Sequence, residues 1–563
     1  MITPTVVAGV DVGNSTTEVV LARVADGSVE VLGSSAAPTR RVKGSPASLD
    51  GAAALVRRVE RGVGVCAEVA VVAPLRPVHT STVTLPEPEA WTGRLRVAAM
   101  AAGTVAGSGW GVGRPVLLDR LADGGDGPVV VVVPPGAGFV EAADRLRHPV
   151  GDGRVVAVLI ADDEAVLVAN RLGAGIPVVD EVDPAAVLGA ALVAVEVAGP
   201  ARVLQRVSDP LALVADLGLA ETERADAARL AGLLRDATSA VVALDLRRPG
   251  ENAVTGDSGW AQSGWADLAG PEGRRVSLVE AARMVGSLRV GTVTAYARPG
   301  LPPSAVDDLF AADLAAVADT VVARVGAQRS RAVALAVLYG DRPATDPSAA
   351  LAERLGIEVR CAPSEPGAAR AGALTTPGAS LDAVVVDVGG GTVDVVTSQG
   401  HVVAAGAGEL LTVGVAGLTG ATAAAAEWVK RGPAARVEAP QLMLGEDGER
   451  IFLDRPAGPE TIGALAVRGP AGLLPFDRRH APGEWRALRL RLKADVLGGN
   501  VARALRTLGA SPSTVVVVGG PAADDEAMAA VARVLPDGVA VGRGDVAGSL
   551  GHRYAVAYGL LLG

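Results

Sequence analysis

The chain has 563 residues, of which 49% are hydrophobic, 20% charged and 2% aromatic, and its formal net charge is −10. This length is enough for three or four domains, and the apolar fraction excludes wholesale disorder. The acidic balance argues against a nucleic-acid partner, and two cysteines without CxxC spacing argue against a disulfide framework or a structural zinc site.

Arginine almost replaces lysine in this chain, in which Lys43, Lys430 and Lys493 are the three lysines among 52 basic residues. We interpret this bias as genome composition without functional weight. The N-terminus shows no basic leader, and the apolar runs fall far short of the ~20 residues that span a bilayer. We therefore expect a cytoplasmic protein without a membrane partner, and association with a bacterial microcompartment stays open.

The first predicted element is a β-hairpin at the N-terminus. Two apolar, β-branched runs, Val6–Gly13 and Glu18–Val24, flank a short turn of Asn, Ser and Thr residues. Asp11 stands near the end of the first strand, and Gly13 lets the backbone turn tightly beside a ligand.

The middle of the chain predicts an inserted domain at residues 88–225, followed by a helical linker and lobe connection at residues 226–354. In the linker region, the apolar spacing predicts an amphipathic helix at Ser304–Val325. The insert carries three predicted strands, at Val129–Val133, Val155–Ile160 and Ala165–Val168.

A second copy of the hairpin pattern lies at Ala383–Val396. It again places an aspartate, Asp387, near the end of an apolar strand, and three glycines and Thr392 follow. One such turn alone is an ordinary hairpin, but two copies at long spacing indicate two related half-domains. We place these half-domains at residues 1–87 and 355–563, the second with an insertion near residues 430–500.

A third element, Ser513–Pro521, is an apolar strand that ends in Gly519 and Gly520 before a predicted helix at Asp524–Val534. Glycines there permit flat contact with a ribose or a base, and the amides of a helix N-terminus suit anions. The chain has neither a GxxxxGK[ST] loop nor a GxGxxG turn that opens a helix after the first strand. The three elements therefore predict a nucleotide site of another kind.

The two hairpin loops have the donors and acceptors that a nucleotide with Mg²⁺ requires. Ser15, Thr16 and backbone amides can donate to phosphate oxygens, whereas Asp11 and Asp387 suit a hydrated Mg²⁺ that lies between carboxylate and phosphate. We predict contacts to ATP or ADP from nine residues of the three elements, namely Asn14, Ser15, Thr16, Gly389, Gly390, Gly391, Thr392, Gly519 and Gly520.

In this order the three elements resemble the phosphate-1, phosphate-2 and adenosine motifs of the actin, sugar-kinase and Hsp70 ATPase superfamily. Ser364–Gly372 and Ala555–Gly559 are similar to its two connecting helices, whose small residues let them cross closely. The resemblance implies an α/β, ribonuclease H-like ATPase with two lobes. It also implies that Glu365 positions or deprotonates the attacking water, beside the catalytic Asp11 and Asp387.

The whole chain resembles the large subunit of diol and glycerol dehydratase reactivases. The most specific matching blocks, Ala161–Leu172 and Ile176–Val182, fall within the inserted region. The resemblance implies an inserted swivelling domain and ATP-driven release of damaged cobalamin from inactivated dehydratase by subunit exchange. It further implies a small partner subunit in an α2β2 heterotetramer, and a Mg²⁺ at the subunit contact held by Thr104, Asp163 and Asp180.

Two other functions of the same fold stay open. One is a small-molecule kinase or an oxoprolinase-type enzyme, which needs a carboxylate in the cleft as base toward a substrate hydroxyl. The other is a filament-forming actin relative, which predicts exposed apolar polymer contacts and no dedicated acidic insert. The sequence does not identify the client dehydratase.

Overall fold

The computed structural model contains two compact units, which we describe separately. The first unit comprises residues 1–85, 260–322 and 330–563, and the second comprises residues 86–259 and 323–329. The structure describes residues 4–25, 27–84, 91–92, 94–101, 106–173, 175–199, 202–234, 237–246, 264–269, 273–299, 301–319, 332–469 and 472–563.

The described strands and helices are numbered along the chain. The strands are β1 (Thr5–Val12), β2 (Thr16–Ala25), β3 (Ser28–Pro38), β4 (Val69–Val72), β5 (His79–Thr84), β6 (Trp91–Thr92), β7 (Leu95–Ala101), β8 (Gly109–Leu117), β9 (Val129–Val133), β10 (Val155–Ile160), β11 (Val178–Val179), β12 (Ala190–Val197), β13 (Ser239–Asp245), β14 (Trp265–Leu268), β15 (Arg274–Ser277), β16 (Val293–Ala297), β17 (Ser304–Asp313), β18 (Ala332–Tyr339), β19 (Glu358–Cys361), β20 (Val384–Val388), β21 (Thr392–Val396), β22 (His401–Ala405), β23 (Ala435–Ala439), β24 (Leu442–Leu444), β25 (Arg450–Phe452), β26 (Leu465–Gly469), β27 (Gly472–Asp477), β28 (Thr514–Val518) and β29 (Ala540–Arg543). The α-helices are α1 (Pro46–Val63), α2 (Phe139–Gly151), α3 (Ala165–Leu172), α4 (Pro210–Leu217), α5 (Arg224–Leu234), α6 (Leu278–Met284), α7 (Leu314–Asp319), α8 (Ser348–Leu355), α9 (Glu365–Ala373), α10 (Gly408–Thr419), α11 (Ala423–Val429), α12 (Pro482–Lys493), α13 (Gly499–Leu508), α14 (Asp525–Ala532) and α15 (Ala555–Gly559).

Two five-stranded sheets of the first unit share one topology. In the first sheet, the antiparallel strands β3-β2-β1 are followed by the parallel strands β4 and β19. In the second sheet, β22-β21-β20 are followed in the same way by β28 and β29. The two hairpin copies in the sequence therefore start two equivalent sheets.

The first unit also contains a six-stranded sheet, β15-β14-β16-β17-β18-β5, and a small sheet, β25-β24-β23-β26-β27. The predicted helix at Ser304–Val325 is wrong over most of its described length, because Ser304–Asp313 is strand β17 and helix α7 covers only Leu314–Asp319. β17 pairs with strands on both sides, and its last six residues are all buried. A strand buried on both faces lacks the alternation that distinguishes strands from helices.

The second unit is built on one eight-stranded sheet, β11-β10-β9-β8-β12-β13-β7-β6. The sheet continues beyond the predicted boundary at residue 225, because β13 (Ser239–Asp245) pairs with both β12 and β7. Residues 226–354 are accordingly not one helical linker, since they are divided between the sheets of both units. The predicted strand at Ala165–Val168 is the first half of helix α3, because a four-residue apolar run does not distinguish the two structures.

Helices α9 and α15, the two predicted connecting helices, cross at very short range within the first unit. A Cβ atom added to Gly559 would lie 1.8 Å from the carbonyl oxygen of Ala368, and one added to Gly372 would lie 2.0 Å from that of Ala555. Glycine is therefore required at the crossing because backbone atoms fill the space that a side chain would need.

Within the described residues, no single helix is long and apolar enough to cross a bilayer. One bent pair, α10 with α11, meets the length and composition criteria together, with an angle of 107° between the two helices.

The close crossing of α9 and α15 predicts that one added methyl group lowers the stability of the protein. Gly559→Ala should lower the free energy of unfolding by about 1–3 kcal/mol, because the added Cβ overpacks the contact with α9. Chemical denaturation of the purified chain measures this change.

Gly62→Ala is the matched control, since Gly62 lies in α1 with open space around its Cβ position. This variant should be neutral or more stable by up to about 1 kcal/mol, because Ala is the better helix former. Equal destabilisation by both substitutions would contradict the assignment of the crossing as a close backbone contact.

Candidate functional site

The two hairpin loops have the same local geometry. In the first, the Gly13 amide donates to the Thr16 carbonyl at 2.9 Å, and in the second the Gly389 amide donates to the Thr392 carbonyl, also at 2.9 Å. The strand register sets Asp11 opposite Glu18. It likewise sets Asp387 opposite Asp394 in the second hairpin. Each hairpin therefore supplies a turn of backbone amides and a pair of carboxylates.

The loops approach each other closely. A Cβ added to Gly390 would lie 2.2 Å from the Ser15 Oγ atom, and one added to Gly391 would lie 2.9 Å from the Asn14 side chain. Gly519 has a φ of +88°, and a Cβ there would lie 2.2 Å from the Val388 carbonyl oxygen. These glycines are needed for contacts within the protein as well as for any contact with a ligand.

A cavity of about 440 Å³ lies between these elements, and this size lies within the range of small-molecule sites. The structure brings together in its lining all twelve residues that the sequence predicts for catalysis and nucleotide binding. These residues are Asp11, Asn14, Ser15, Thr16, Glu365, Asp387, Gly389, Gly390, Gly391, Thr392, Gly519 and Gly520. The role of each residue stays a prediction.

The carboxylates of the cavity raise one another's pKa values. Burial, followed by the negative charges of Glu365 and Glu18, raises the pKa of Asp387 to about 7. Burial and the neighbouring Glu365 also raise the pKa values of Asp11 and Asp394 well above their usual range. One side-chain oxygen of Asp11 and one of Asp394 are buried without a hydrogen-bond partner in the structure, so the donors of the described residues satisfy this cluster only in part.

Lys43 supplies one positive charge, although it lies outside every motif in the sequence. Its Nζ atom lies 3.0 and 3.2 Å from the two carboxylate oxygens of Glu365. Burial opposes the charged form, but Glu365 and Asp11 outweigh it and raise the pKa of Lys43. Glu365 itself begins helix α9, whose N-cap, Ser364, accepts a hydrogen bond from the Gly367 amide. The helix start thus fixes Glu365 beside the aspartates.

The rarity of lysine was the signal that could have found this residue. The side chains of Lys43, Lys430 and Lys493 are 6%, 11% and 2% exposed. Lys43 and Lys493 are therefore buried, and Lys430 is nearly so. Two of them line the cavity, and Lys493 forms an ion pair with Asp524, which also lines it. The lysine ammonium group is a compact positive charge with three hydrogen-bond donors. In an arginine-rich chain, the few lysines therefore indicate positions where such a group is surrounded by hydrogen-bond acceptors.

Helix α11 and the residues after it contribute further lining that the sequence analysis did not identify. Glu427, Lys430 and Arg431 line the same cavity as Gly519 and Gly520. The Lys430 Nζ atom donates to the Gly408 carbonyl, to the Thr412 hydroxyl and to Glu427, at 2.7, 2.8 and 2.6 Å. Burial lowers the pKa of Lys430 despite the nearby Glu427.

The three predicted ligands of the second Mg²⁺ belong to the other unit. Burial and the adjacent carboxyl of Asp163 raise the pKa of Asp180, so the structure brings these two side chains together. Thr104 lies outside the described residues. Within the described part of the chain, no group of three or more His, Cys, Asp or Glu side chains can hold a metal ion directly.

The pKa of Asp387 predicts an inverse relation between pH and stability. A carboxyl with a folded pKa of about 7 and an ordinary value of 3.8 binds its proton more tightly in the folded state, so stability falls as pH rises between these values. Asp387→Asn removes this loss. We compare the free energy of unfolding of the Asp387→Asn variant with that of the wild type at each pH. The difference in favour of the variant should be about 2 kcal/mol larger at pH 8 than at pH 5.

Urea denaturation at the two pH values measures this difference. Asp382→Asn, at an exposed aspartate of the same lobe, is the control and should change stability equally at both. A gain for Asp387→Asn that is independent of pH would refute the raised pKa.

Two protein-family models match this chain. The family model described as the diol dehydratase reactivase ATPase-like domain matches residues 280–563, half of the chain, and the model of the DD-reactivating factor swiveling domain matches residues 99–249. The large subunits of the propanediol dehydratase-reactivating factor of Citrobacter freundii and the diol dehydratase-reactivating factor of Klebsiella michiganensis are each 29% identical to this chain. Each alignment covers 99% of this chain and 98% of the relative.

Two solved structures are similar over 99% of both chains at 26% identity. They are diol dehydratase-reactivating factor in its nucleotide-free form, with a TM-score of 0.64, and glycerol dehydratase reactivase, with a TM-score of 0.65. These similarities confirm the predicted α/β fold with a swivelling domain. The chain belongs to the diol dehydratase reactivase family.

Proposed function

We propose that this chain is the ATP-hydrolysing large subunit of a factor that reactivates an inactivated, adenosylcobalamin-dependent diol or glycerol dehydratase. The observation that carries this proposal is the group of carboxylates around Lys43, between two loops of backbone amides, in a chain with full-length similarity to reactivating factors. Subunit exchange with the damaged enzyme would release its altered cobalamin.

ATP is proposed to lie in the cavity with its phosphates at the two hairpin loops. The amides and hydroxyls of Ser15, Thr16 and Thr392 are neutral donors suited to phosphate. Glu427, Lys430 and the Gly519–Gly520 turn line the rest of the cavity and are proposed to hold the nucleoside.

The carboxylate cluster fits a Mg²⁺ ion bound together with the nucleotide. Asp11 and Asp394 each have a buried oxygen without a hydrogen-bond partner, and burial together with the neighbouring Glu365 raises their pKa values. Because the described side chains form no direct three-ligand site, Asp11 and Asp387 would hold the ion through water and phosphate oxygens. When bound, the ion would neutralise charge on the phosphate groups.

Glu365 is proposed to orient the attacking water and to accept its proton. Its ion pair with Lys43 fixes the carboxylate, and its charge raises the pKa values of Asp11, Asp387 and Asp394, so it lies near all three aspartates. Phosphoryl transfer depends mainly on such positioning and on charge stabilisation.

The remaining parts of the proposal concern partners. The relatives are named as large subunits, so we propose a small partner subunit, an α2β2 assembly and a dehydratase client, in the cytoplasm. Asp163 and Asp180, which lie together in the swivelling unit, would share a Mg²⁺ with Thr104 at the small-subunit contact. Two adjacent carboxylates suit such a hard cation.

Asp387→Ala should abolish ATP hydrolysis, because the cluster loses the carboxylate that holds the hydrated ion. Steady-state phosphate release measures the effect, which we expect to be at least 100-fold. The variant should stay folded, since removal of a strained buried charge does not destabilise the sheet. Asp382→Ala, at an exposed aspartate of the same lobe, should retain wild-type hydrolysis, and hydrolysis by Asp387→Ala would disprove the site.

The complete function is tested by reactivation. The purified chain, with its small subunit, ATP and Mg²⁺, should restore activity to a glycerol-inactivated dehydratase when fresh adenosylcobalamin is supplied, and Asp387→Ala should not. ATP hydrolysis without reactivation would instead favour the kinase-type alternative and call for a substrate screen.

A further inference from the structure

One glutamate outside the predicted motifs connects the two phosphate loops. Glu409 lies in the first turn of α10, and its backbone amide donates to the Gly390 carbonyl at 2.8 Å. Its carboxylate accepts a hydrogen bond from the Ser15 hydroxyl at 3.0 Å and another from the Asn14 side-chain amide at 3.2 Å. A single residue therefore links the phosphate-2 loop, through its backbone, to the phosphate-1 loop, through its side chain.

The contact with Glu409 matters because Ser15 and Asn14 in the phosphate-1 loop have few hydrogen-bond donors. A serine hydroxyl has one hydrogen to donate, and an asparagine side chain has two. Ser15 directs its hydrogen to Glu409, whereas Asn14 directs one to Glu409 and one to the Val78 carbonyl, the latter at 2.8 Å. Neither side chain can therefore donate to a phosphate oxygen while both keep these bonds.

Hydrogen bonds fix the backbone at the start of α10, so the side-chain carboxylate of Glu409 is the part of this residue that can move. Lys430 binds the Gly408 carbonyl and the Thr412 hydroxyl, and the Gly408 amide donates to the Gly389 carbonyl at 3.2 Å. These contacts fix the backbone of Glu409, so its carboxylate can leave Ser15 and Asn14 only by a change of side-chain rotamer.

We propose that Glu409 is a releasable latch that competes with the nucleotide's terminal phosphates for the donors of Asn14 and Ser15. Its two carboxylate oxygens occupy donors of Asn14 and Ser15 that a phosphate would use, and its negative charge beside these side chains opposes the approach of a triphosphate. Arrival of the phosphates displaces the carboxylate and breaks the bridge between the loops. This inference depends on the proposed function, since it requires that the cavity bind ATP.

The latch predicts that removal of the glutamate strengthens nucleotide binding, which is the opposite of what loss of a binding residue does. Glu409→Ala should lower the Kd for the non-hydrolysable analogue AMP-PNP, with Mg²⁺, about tenfold. Glu409→Gln, which removes the charge and keeps the size, should also bind AMP-PNP more tightly. Titration calorimetry on the full chain measures all of these values, and thermal unfolding verifies that each variant is folded.

Glu358→Gln is the matched control, because it removes the same charge from an exposed ion pair with Arg360 on strand β19, away from the cavity lining. It should bind AMP-PNP like the wild type. Unchanged or weaker binding by the folded Glu409 variants, with a wild type that binds AMP-PNP, would overturn the latch and leave the proposed function standing. A wild type that does not bind AMP-PNP would refute the proposed function, and the latch with it.

Discussion

The structure of the first unit is organised around a group of acidic side chains that its own donors satisfy only in part. Asp11, Glu18, Asp387, Asp394 and Glu365 meet in one cavity. Burial and the neighbouring carboxylates raise the pKa values of Asp11, Asp387 and Asp394, and burial alone raises the pKa of Glu18. Burial of charges without full compensation is costly, so the rest of the fold has to hold these groups in place. Such an arrangement is typical of sites that bind cations or polyphosphate–cation complexes.

The repeated five-stranded sheet explains how the fold holds the acidic side chains of the cavity in place. Each five-stranded sheet contributes one hairpin, and the hairpin register alone sets two carboxylates side by side. Helices α9 and α15 cross at backbone distance, and α15 also contacts the first sheet, where a Cβ added to Gly9 would lie 1.9 Å from the Ala557 carbonyl oxygen. Helix α9 carries Glu365 at its first residue. Two further residues complete the site. Lys43 forms an ion pair with Glu365, and Glu409 accepts a hydrogen bond from Ser15 in the first hairpin loop.

The sequence predicts the parts of this site that are encoded locally. Strand, aspartate and glycine turn follow one another within a few residues, so both hairpins and the Gly519–Gly520 turn could be located and all line the cavity. Glu409 could not be located, because its partner Ser15 lies 394 residues away. The partner of Lys43, Glu365, is 322 residues away, and only the rarity of lysine in the sequence distinguishes Lys43. The error at Ser304–Val325 has a similar origin, since the neighbours of β17 in the sheet, rather than its own pattern, make it a strand.

The central claim is that the cavity binds a polyphosphate together with a divalent cation, and ligand-dependent thermal unfolding of the full chain tests it most directly. Ligands that bind the folded state raise the unfolding temperature according to their affinity. The account predicts a large rise with ATP and Mg²⁺ together, and little or none with ATP in EDTA, because triphosphate alone adds negative charge to the carboxylates. An equal rise with and without Mg²⁺ would contradict the account.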